Sequence, residues 1–214
     1  MQTRDVHVYL PELMADWEVG HAIGYINQAE YQTQPGRYRV RSVGLTRTPV
    51  RTLGGLQITP DGLLSDIEPA SSAMLILPGG ASWETGDDNR PAVDKARQLL
   101  AAGVPVAAIC GATGGLARGG VLDERAHTSN AKVYLEQQPN YGGAANYREE
   151  RCVRDRGLIT AGSTAPVEFA RGIFEALELY RRPVLDAWYG LFSTGEAKYF
   201  YALMQATQSD TTRR

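Results

Sequence analysis

The chain has 214 residues, of which 43% are hydrophobic, and its 22 Lys and Arg against 24 Asp and Glu give a formal net charge of -2. This composition is typical of a globular core, and the balanced charge argues against a general nucleic-acid binder, which needs a clustered basic surface. The two cysteines are too few for a disulfide framework, and their spacing, at positions 110 and 152, fits no zinc template.

The N-terminal residues lack the long apolar stretch of a signal peptide, and no run approaches the roughly 18 apolar residues of a membrane-spanning helix. We therefore expect a soluble cytoplasmic protein with reduced thiols and with neither a membrane nor a nucleic-acid partner. No internal repeat or linker divides the chain, which predicts one domain over residues 1–205 and a polar tail at 206–214.

Short apolar runs alternate along the chain with helical patterns. A run that is apolar on both faces and ends in a glycine-rich turn, such as 73–77, indicates a buried parallel strand. The alternation implies an α/β fold with a mostly parallel sheet that is covered on both faces. In chain order, the pattern predicts strands at 6–10, 38–45, 73–77, 104–109 and 158–161, helices at 15–31, at 91–102, from 111 and at 165–180, and two further helices within 183–205 that pack on the domain.

The most informative segment surrounds Cys110, between the predicted strand 104–109 and the helix that begins at Gly111. Small residues on both sides are typical of a nucleophile elbow, a sharp strand-to-helix turn that leaves little room for side chains. A helix N-terminus favours the thiolate, so we expect the thiol pKa to lie below about 8.5. The alternative is a buried structural cysteine, which is how we interpret Cys152.

Two other segments should reach the same carboxyl edge of the sheet, where open α/β folds bind ligands. Gly79 and Gly80 permit positive φ, so their backbone N–H groups, with that of Gly111, can form an oxyanion-binding pocket. Glu18 begins the first helix, and a carboxyl beside a thiolate is expected to keep its proton and donate it to sulfur. The alternatives are an ordinary strand-ending turn and a helix-start acid favoured by the dipole.

Motifs over nearly the whole chain resemble those of the DJ-1/PfpI superfamily. They are AICGATGGLA around Cys110, LILPGG before it, the early DWE, HTSN at 127–130, PNY at 139–141, RDRGLITAGSTAPVEFA at 154–170 and KYFYALM at 198–204. The resemblance implies a flavodoxin-like three-layer α/β/α sandwich, similar to class I glutamine amidotransferases, and a homodimer. It also implies that Cys110 is the nucleophile, Glu18 its acid partner, and Gly80 and Gly111 the oxyanion donors.

Two departures from relatives narrow the expected activity. Protease-like members place a histidine directly after the cysteine, where this chain has Gly111, which argues against peptidase activity. Class I glutaminases use a His-x-Glu pair late in the domain, whereas residues 163–165 here are Ser-Thr-Ala, which argues against glutamine hydrolysis.

The third departure concerns the histidine that glyoxalase-like relatives carry after the elbow helix. The matching segment, RAHTSN, has Ser129 at that place, and His127 precedes it by two residues, on the same face if the segment is a strand. His127 is therefore a candidate general base, the alternative being a histidine bonded to backbone. His21, three residues after Glu18, and Trp83, after the LPGG turn, are further pocket candidates, the alternatives being a solvated histidine and a loop anchor.

These observations predict a cysteine-dependent hydrolase or glyoxalase-type lyase that acts on a small electrophilic carbonyl or amide, without a metal or cofactor. Cys110 would attack the carbonyl carbon, Glu18 would hold the thiolate and shuttle a proton, and the backbone donors would stabilise the oxyanion. One alternative is a stress-response redox sensor or chaperone without turnover, because exposed thiolates oxidise readily. Another is a binding protein that keeps only the scaffold, in which Cys110 is unreactive.

Overall fold

The structure is a computed structural model that describes residues 3–211, with side chains up to residue 206. Its strands are β1 (Arg4–Tyr9), β2 (Tyr38–Gly44), β3 (Val50–Arg51), β4 (Gln57–Ile58), β5 (Gly62–Leu63), β6 (Ser72–Leu77), β7 (Val106–Ile109), β8 (Cys152–Asp155) and β9 (Leu158–Ala161). Seven of them form one sheet in the order β5-β2-β1-β6-β7-β9-β8, and β3 and β4 form a separate antiparallel hairpin. In the sheet, β8 runs antiparallel to β9 and the other neighbours are parallel.

Helices cover both faces of the sheet, which confirms the predicted three-layer α/β/α fold. They are α1 (Asp16–Asn27), α2 (Arg90–Ala101), α3 (Gly111–Arg118), α4 (Lys132–Glu136), α5 (Pro166–Ala176), α6 (Arg182–Thr194) and α7 (Ala197–Thr211). One core lies between the sheet and α1, α5 and α6, and the other lies between the sheet and α2 and α3. Within residues 3–211, none of the helices combines the length and the apolar character that a bilayer crossing requires.

The two-faced apolar runs are buried as predicted. In β6, Met74 and Ile76 point into the first core, whereas Leu75 and Leu77 point into the second, and all four are fully buried. This alternation follows from the two-residue period of a strand, and it explains why both faces of a central parallel strand are apolar.

Several element boundaries differ from the predicted ones for local reasons. The last predicted sheet helix ends at Ala176 because Glu178 has a φ of 50°, a left-handed conformation that stops a helix. Gly195, with a φ of 72°, separates the two predicted C-terminal helices. The second of these continues to Thr211, so the backbone of 206–211 is helical, while 212–214 of the predicted tail lie outside the described residues. The sequence pattern did not indicate β3, β4, β5 or α4.

The segment before α1 is tied to two other parts of the chain at the carboxyl edge of the sheet. Leu13 N donates to Arg51 O at 2.8 Å, which links it to the β3–β4 hairpin. On its other side, Ala15 N donates to Gly79 O at 3.1 Å and Ala81 N donates to Leu13 O at 3.1 Å. The start of α1 and the turn after β6 are therefore fixed relative to each other.

Candidate active site

Cys110 lies at the turn between β7 and α3. Its backbone has a φ of 56° and a ψ of -127°, a strained conformation for a residue with a side chain. The turn is fixed from both sides, because Cys110 N donates to Ala161 O at 3.0 Å and Thr113 Oγ1 donates to Cys110 O at 2.6 Å. The half-buried thiol thus lies at the carboxyl edge of the sheet, at the first turn of α3.

Trp83 is packed beneath the elbow helix. It is 1% exposed, and its Nε1 donates to Pro78 O at 2.8 Å. A Cβ at Gly115 would collide with the indole ring, so the small residues of α3 let the helix approach Trp83 closely. Trp83 therefore supports the elbow from the core, and the cavity that it lines is bordered by neither Cys110 nor Glu18.

Glu18 and Cys110 meet around Gly79. The Glu18 side chain is fully buried on α1, and Gly79 N–H donates to its Oε2 at 2.7 Å. A Cβ at Gly79 would lie 2.8 Å from Glu18 Oε2 and 2.8 Å from Cys110 Cβ. The Glu18 carboxyl also interacts with the Cys110 thiol. The structure therefore brings together these three residues singled out from the sequence.

Burial controls the protonation of this pair. It raises the pKa of Glu18 to about 7, although the interaction with the Cys110 thiol and the hydrogen bond from Gly79 N–H oppose the shift. Burial also raises the pKa of Cys110 to about 11, and the Glu18 charge adds to it, while Asn130 and Gly111 N–H lower it. The expected fall in the thiol pKa is thus wrong, because desolvation and a like charge outweigh the donors at the start of α3.

Gly80 and Gly111 are the two glycines whose backbone N–H groups the sequence suggested as oxyanion donors. The bonds on either side of Gly80 are those from Ala15 N to Gly79 O and from Ala81 N to Leu13 O, and Gly80 N–H takes part in neither. Gly111 N–H interacts with the sulfur. Gly80 is extended, with a φ of 168°, and so does not use the left-handed conformation that glycine permits. Glycine is needed there because a Cβ would lie 2.7 Å from Leu13 O.

Asn130 contacts the nucleophile directly, and the sequence reasoning missed it. Its Nδ2 donates to Cys110 Sγ at 3.4 Å, and its Oδ1 accepts from Ser163 N at 2.8 Å. The second bond fixes the orientation of the amide, so that its N–H group faces the sulfur. Asn130 and Ser163 both line a cavity of about 250 Å³. Asn130 ends the HTSN motif, which was the available signal.

His127 is not hydrogen-bonded to Cys110. Its ring is fully buried, with Nδ1 2.7 Å from Arg125 O and Nε2 2.7 Å from Tyr141 Oη. Because the carbonyl can only accept, Nδ1 carries the proton and Nε2 accepts from the phenol. Burial lowers the pKa of His127, so the neutral ring is favoured. Both ring nitrogens are therefore engaged away from the thiol.

His21 lies between helices and not in a pocket with Cys110. Its ring packs edge-on against Phe192 and Trp188 of α6, with ring centroids 4.9 and 6.0 Å apart. Burial lowers its pKa, which favours the neutral ring in this aromatic setting. Cys152, the other cysteine, lies on β8, and burial raises the pKa of its thiol to about 12.

A second carboxylate lies beside the elbow. Tyr134 Oη donates to Glu84 Oε1 at 2.8 Å, and a Cβ at Gly111 would lie 3.1 Å from this same oxygen. Tyr134 is packed against α3, since a Cβ at Gly114 would lie 2.5 Å from its Oη. Neither residue was singled out from the sequence, because only the fold places the loop after β6 and α4 next to Cys110. Among the described residues, no group of three or more His, Cys, Asp and Glu side chains is arranged to hold a metal ion.

Comparison with known proteins gives consistent matches. The model of the DJ-1/PfpI family matches residues 4–176. The chain is 40% identical over 207 residues to the "Uncharacterized protease YoaZ" of Bacillus subtilis, covering 95% of this chain and 98% of that protein. It is 24% identical over 143 residues to the "Glutathione-independent glyoxalase DJR-1.2" of Caenorhabditis elegans, covering 67% and 75%. The crystal structure of a thiJ/pfpI family protein from Bacillus anthracis matches with a TM-score of 0.90 and 38% identity, covering 96% of this chain and 98% of that one.

Proposed function

The chain belongs to the DJ-1/PfpI family, as its motifs predicted, and from this premise we propose that it is a cysteine-dependent enzyme acting on a small electrophilic carbonyl or amide. Cys110 is the nucleophile, Glu18 its proton partner, and the N–H groups of Gly80 and Gly111 the oxyanion donors. The main support is the meeting of nucleophile and acid around Gly79, where one Cβ position lies 2.8 Å from both side chains.

In the first step, the Cys110 sulfur bonds to the carbonyl carbon, the π electrons of the C=O bond pass to oxygen, and the thiol proton passes to the Glu18 carboxylate. Two backbone N–H groups donate to the new oxyanion. A carboxyl with a pKa of about 7 suits this role, because near neutrality it can both accept the proton and return it.

The following steps depend on the substrate. With an amide, the proton held by Glu18 leaves with the amine, and water hydrolyses the remaining thioester to a carboxylic acid and free thiol. With a 2-oxoaldehyde, the proton returns to the oxyanion, giving a hemithioacetal. Glu18 then moves the carbon-bound proton to the neighbouring carbonyl carbon, while the hydroxyl proton passes to the oxygen of that carbonyl, which gives a thioester. Water releases a 2-hydroxy acid from this thioester. Both routes balance with water as co-reactant, and the second fits the name of the Caenorhabditis elegans relative.

Peptide hydrolysis is the less favoured activity, although the Bacillus subtilis relative carries "protease" in its name. Gly111 supplies no imidazole beside the sulfur, and the space for a side chain there is occupied by Glu84 and Trp83. Glutamine hydrolysis is disfavoured as well, because residues 163–165 supply no histidine.

The experiment compares wild type with Cys110→Ser and Cys110→Ala, using methylglyoxal and simple amides as substrates. We expect turnover to fall to the uncatalysed rate in both variants. Cys152→Ser changes the other cysteine and is the matched control, which should keep its activity. Wild-type turnover no faster than that of the Cys110 variants would contradict the proposal.

A redox sensor is the second candidate, and the donors around the sulfur favour it. Asn130 Nδ2 and Gly111 N–H face the Cys110 sulfur and could bond the oxygens of a sulfinate. Two equivalents of peroxide would supply those oxygens and leave as water. Intact mass after mild peroxide tests this: a gain of two oxygens in wild type but not in Cys110→Ser supports sensing, and inertness rejects it.

A homodimer and a cytoplasmic location, which the sequence and its resemblance suggested, remain predictions. Light scattering tests the first of them, since a dimer has twice the chain mass of 23.3 kDa. A measured mass equal to that of one chain would reject it.

A further inference from the structure

Glu84 is an exposed carboxylate beside the nucleophile that the steps above do not use. The Tyr134 phenol fixes one of its oxygens at 2.8 Å, and that oxygen lies 3.1 Å from the Cβ position of Gly111, a proposed oxyanion donor. Among the described ion pairs, none involves Glu84. Arg118, the cation that acts on Tyr134, donates to Trp83 O and to Gln138 Oε1 and makes no described ion pair with Glu84.

The charged side chain that acts on the sulfur is also acidic. The groups that act on the Cys110 thiol are the Glu18 carboxyl and the neutral donors Asn130 and Gly111 N–H, with no Lys or Arg among them. An anionic substrate would approach two carboxylates, whereas a cationic group would be attracted to the exposed one.

We propose that Glu84 is a specificity residue that binds an ammonium or guanidinium group of the substrate, close to the carbonyl that Cys110 attacks. Tyr134 is a positioning residue, because its bond to Oε1 orients the carboxylate and leaves Oε2 to the substrate. The substrates are then small carbonyl or amide compounds that carry a positive charge. This inference rests on the proposed function of Cys110.

The test measures alkylation of Cys110 by three small reagents of different charge, namely cationic 2-bromoethylammonium, neutral iodoacetamide and anionic iodoacetate. Each rate is followed by mass at Cys110 and divided by the iodoacetamide rate of the same variant, which cancels differences in thiol reactivity. In Glu84→Gln, we expect the cationic ratio to fall roughly fivefold and the anionic ratio to rise by a similar factor. Tyr134→Phe frees the carboxylate and should reduce the preference by a smaller factor.

Glu68→Gln is the matched control. Glu68 is exposed and precedes β6, so it lies at the opposite edge of the sheet from Cys110, and its ratios should equal those of wild type. Unchanged ratios in Glu84→Gln, or an equal change in Glu68→Gln, would overturn the inference. If wild type turns over no carbonyl or amide while its alkylation ratios still depend on Glu84, the proposed function fails and the charge preference stands.

Discussion

Glu18 and Cys110 lie on either side of Gly79, which has no side chain to separate them. Gly79 N–H donates to Glu18 Oε2 at 2.7 Å, and its Cβ position lies 2.8 Å from Cys110 Cβ. The turn after β6 therefore sets the separation between the acid on α1 and the nucleophile at the turn before α3. The predictions below test this relationship and the groups around it.

Gly79→Ala should damage both stability and the site. The added methyl would collide with Glu18 Oε2 and Cys110 Cβ, so we expect a loss of about 1–3 kcal/mol in the free energy of unfolding. Gly20→Ala is the control, since nothing lies within 4 Å of its Cβ position and it stands inside α1. It should gain about 0.5–1 kcal/mol. Urea denaturation measures both, and a stable Gly79→Ala variant would contradict the packing described here.

Glu18→Gln should lower the thiol pKa. The charge of Glu18 raises the pKa of Cys110, and glutamine carries no charge. We expect a fall of about one unit, because one close like charge shifts a pKa by this order. The pH dependence of iodoacetamide alkylation measures it, with Glu68→Gln as a variant that should titrate like wild type. A thiol pKa equal to or above the wild-type value would count against the pairing.

The same variant should change how stability depends on pH. The folded-state pKa of Glu18, about 7, exceeds its ordinary value of 4.5, so the folded state holds this proton more tightly. This contribution to stability is complete below the ordinary pKa and is lost as the pH rises through about 7. Its upper size is on the order of 3 kcal/mol. Unfolding free energies measured across this range should fall less in Glu18→Gln, and parallel curves would contradict the raised pKa.

Asn130→Ala should raise the thiol pKa and slow alkylation. The amide N–H is the side-chain donor that lowers the pKa of Cys110, and its removal leaves the sulfur less well solvated. We expect a few-fold decrease in rate at neutral pH, as for the loss of one hydrogen bond. Asn146→Ala is the control, because the Asn146 amide donates to Asp123 O at 2.7 Å and not to sulfur. Equal rates in the two variants would exclude a role for Asn130 at the thiol.

His127→Gln should reduce stability but leave Cys110 alkylation unchanged. The buried ring makes two hydrogen bonds, with Arg125 O and Tyr141 Oη, and losing such bonds in the interior costs about 1–3 kcal/mol. Thermal unfolding and the alkylation rate are measured on the same preparation. A slower alkylation rate in the folded variant would restore His127 as a base.

The sheet was predictable because its central strands are apolar on both faces. The runs that became β6, β7 and β9 are buried throughout, as is typical of strands covered on both faces. The hairpin of β3 and β4 was not predictable, since each strand has two residues and depends on hydrogen bonds with the segment before α1.

In the site, the sequence indicated Cys110 and Glu18 because local turn chemistry marks the start of a helix. It did not indicate Asn130, Glu84 or Tyr134, whose roles depend on how separate loops meet above the sheet edge. The direction of the thiol pKa was missed for a related reason. Desolvation is a property of the folded surroundings and is not encoded by position at a helix end.

The absence of a side chain after the nucleophile has a consequence for how this site could evolve. A Cβ at Gly111 would lie 3.1 Å from both Trp83 Cβ and Glu84 Oε1. A side chain at position 111 therefore needs small displacements of Trp83 and Glu84. The exposed Glu84 side chain can move more easily than the buried Trp83. Residue choices at these three positions should thus be correlated among relatives.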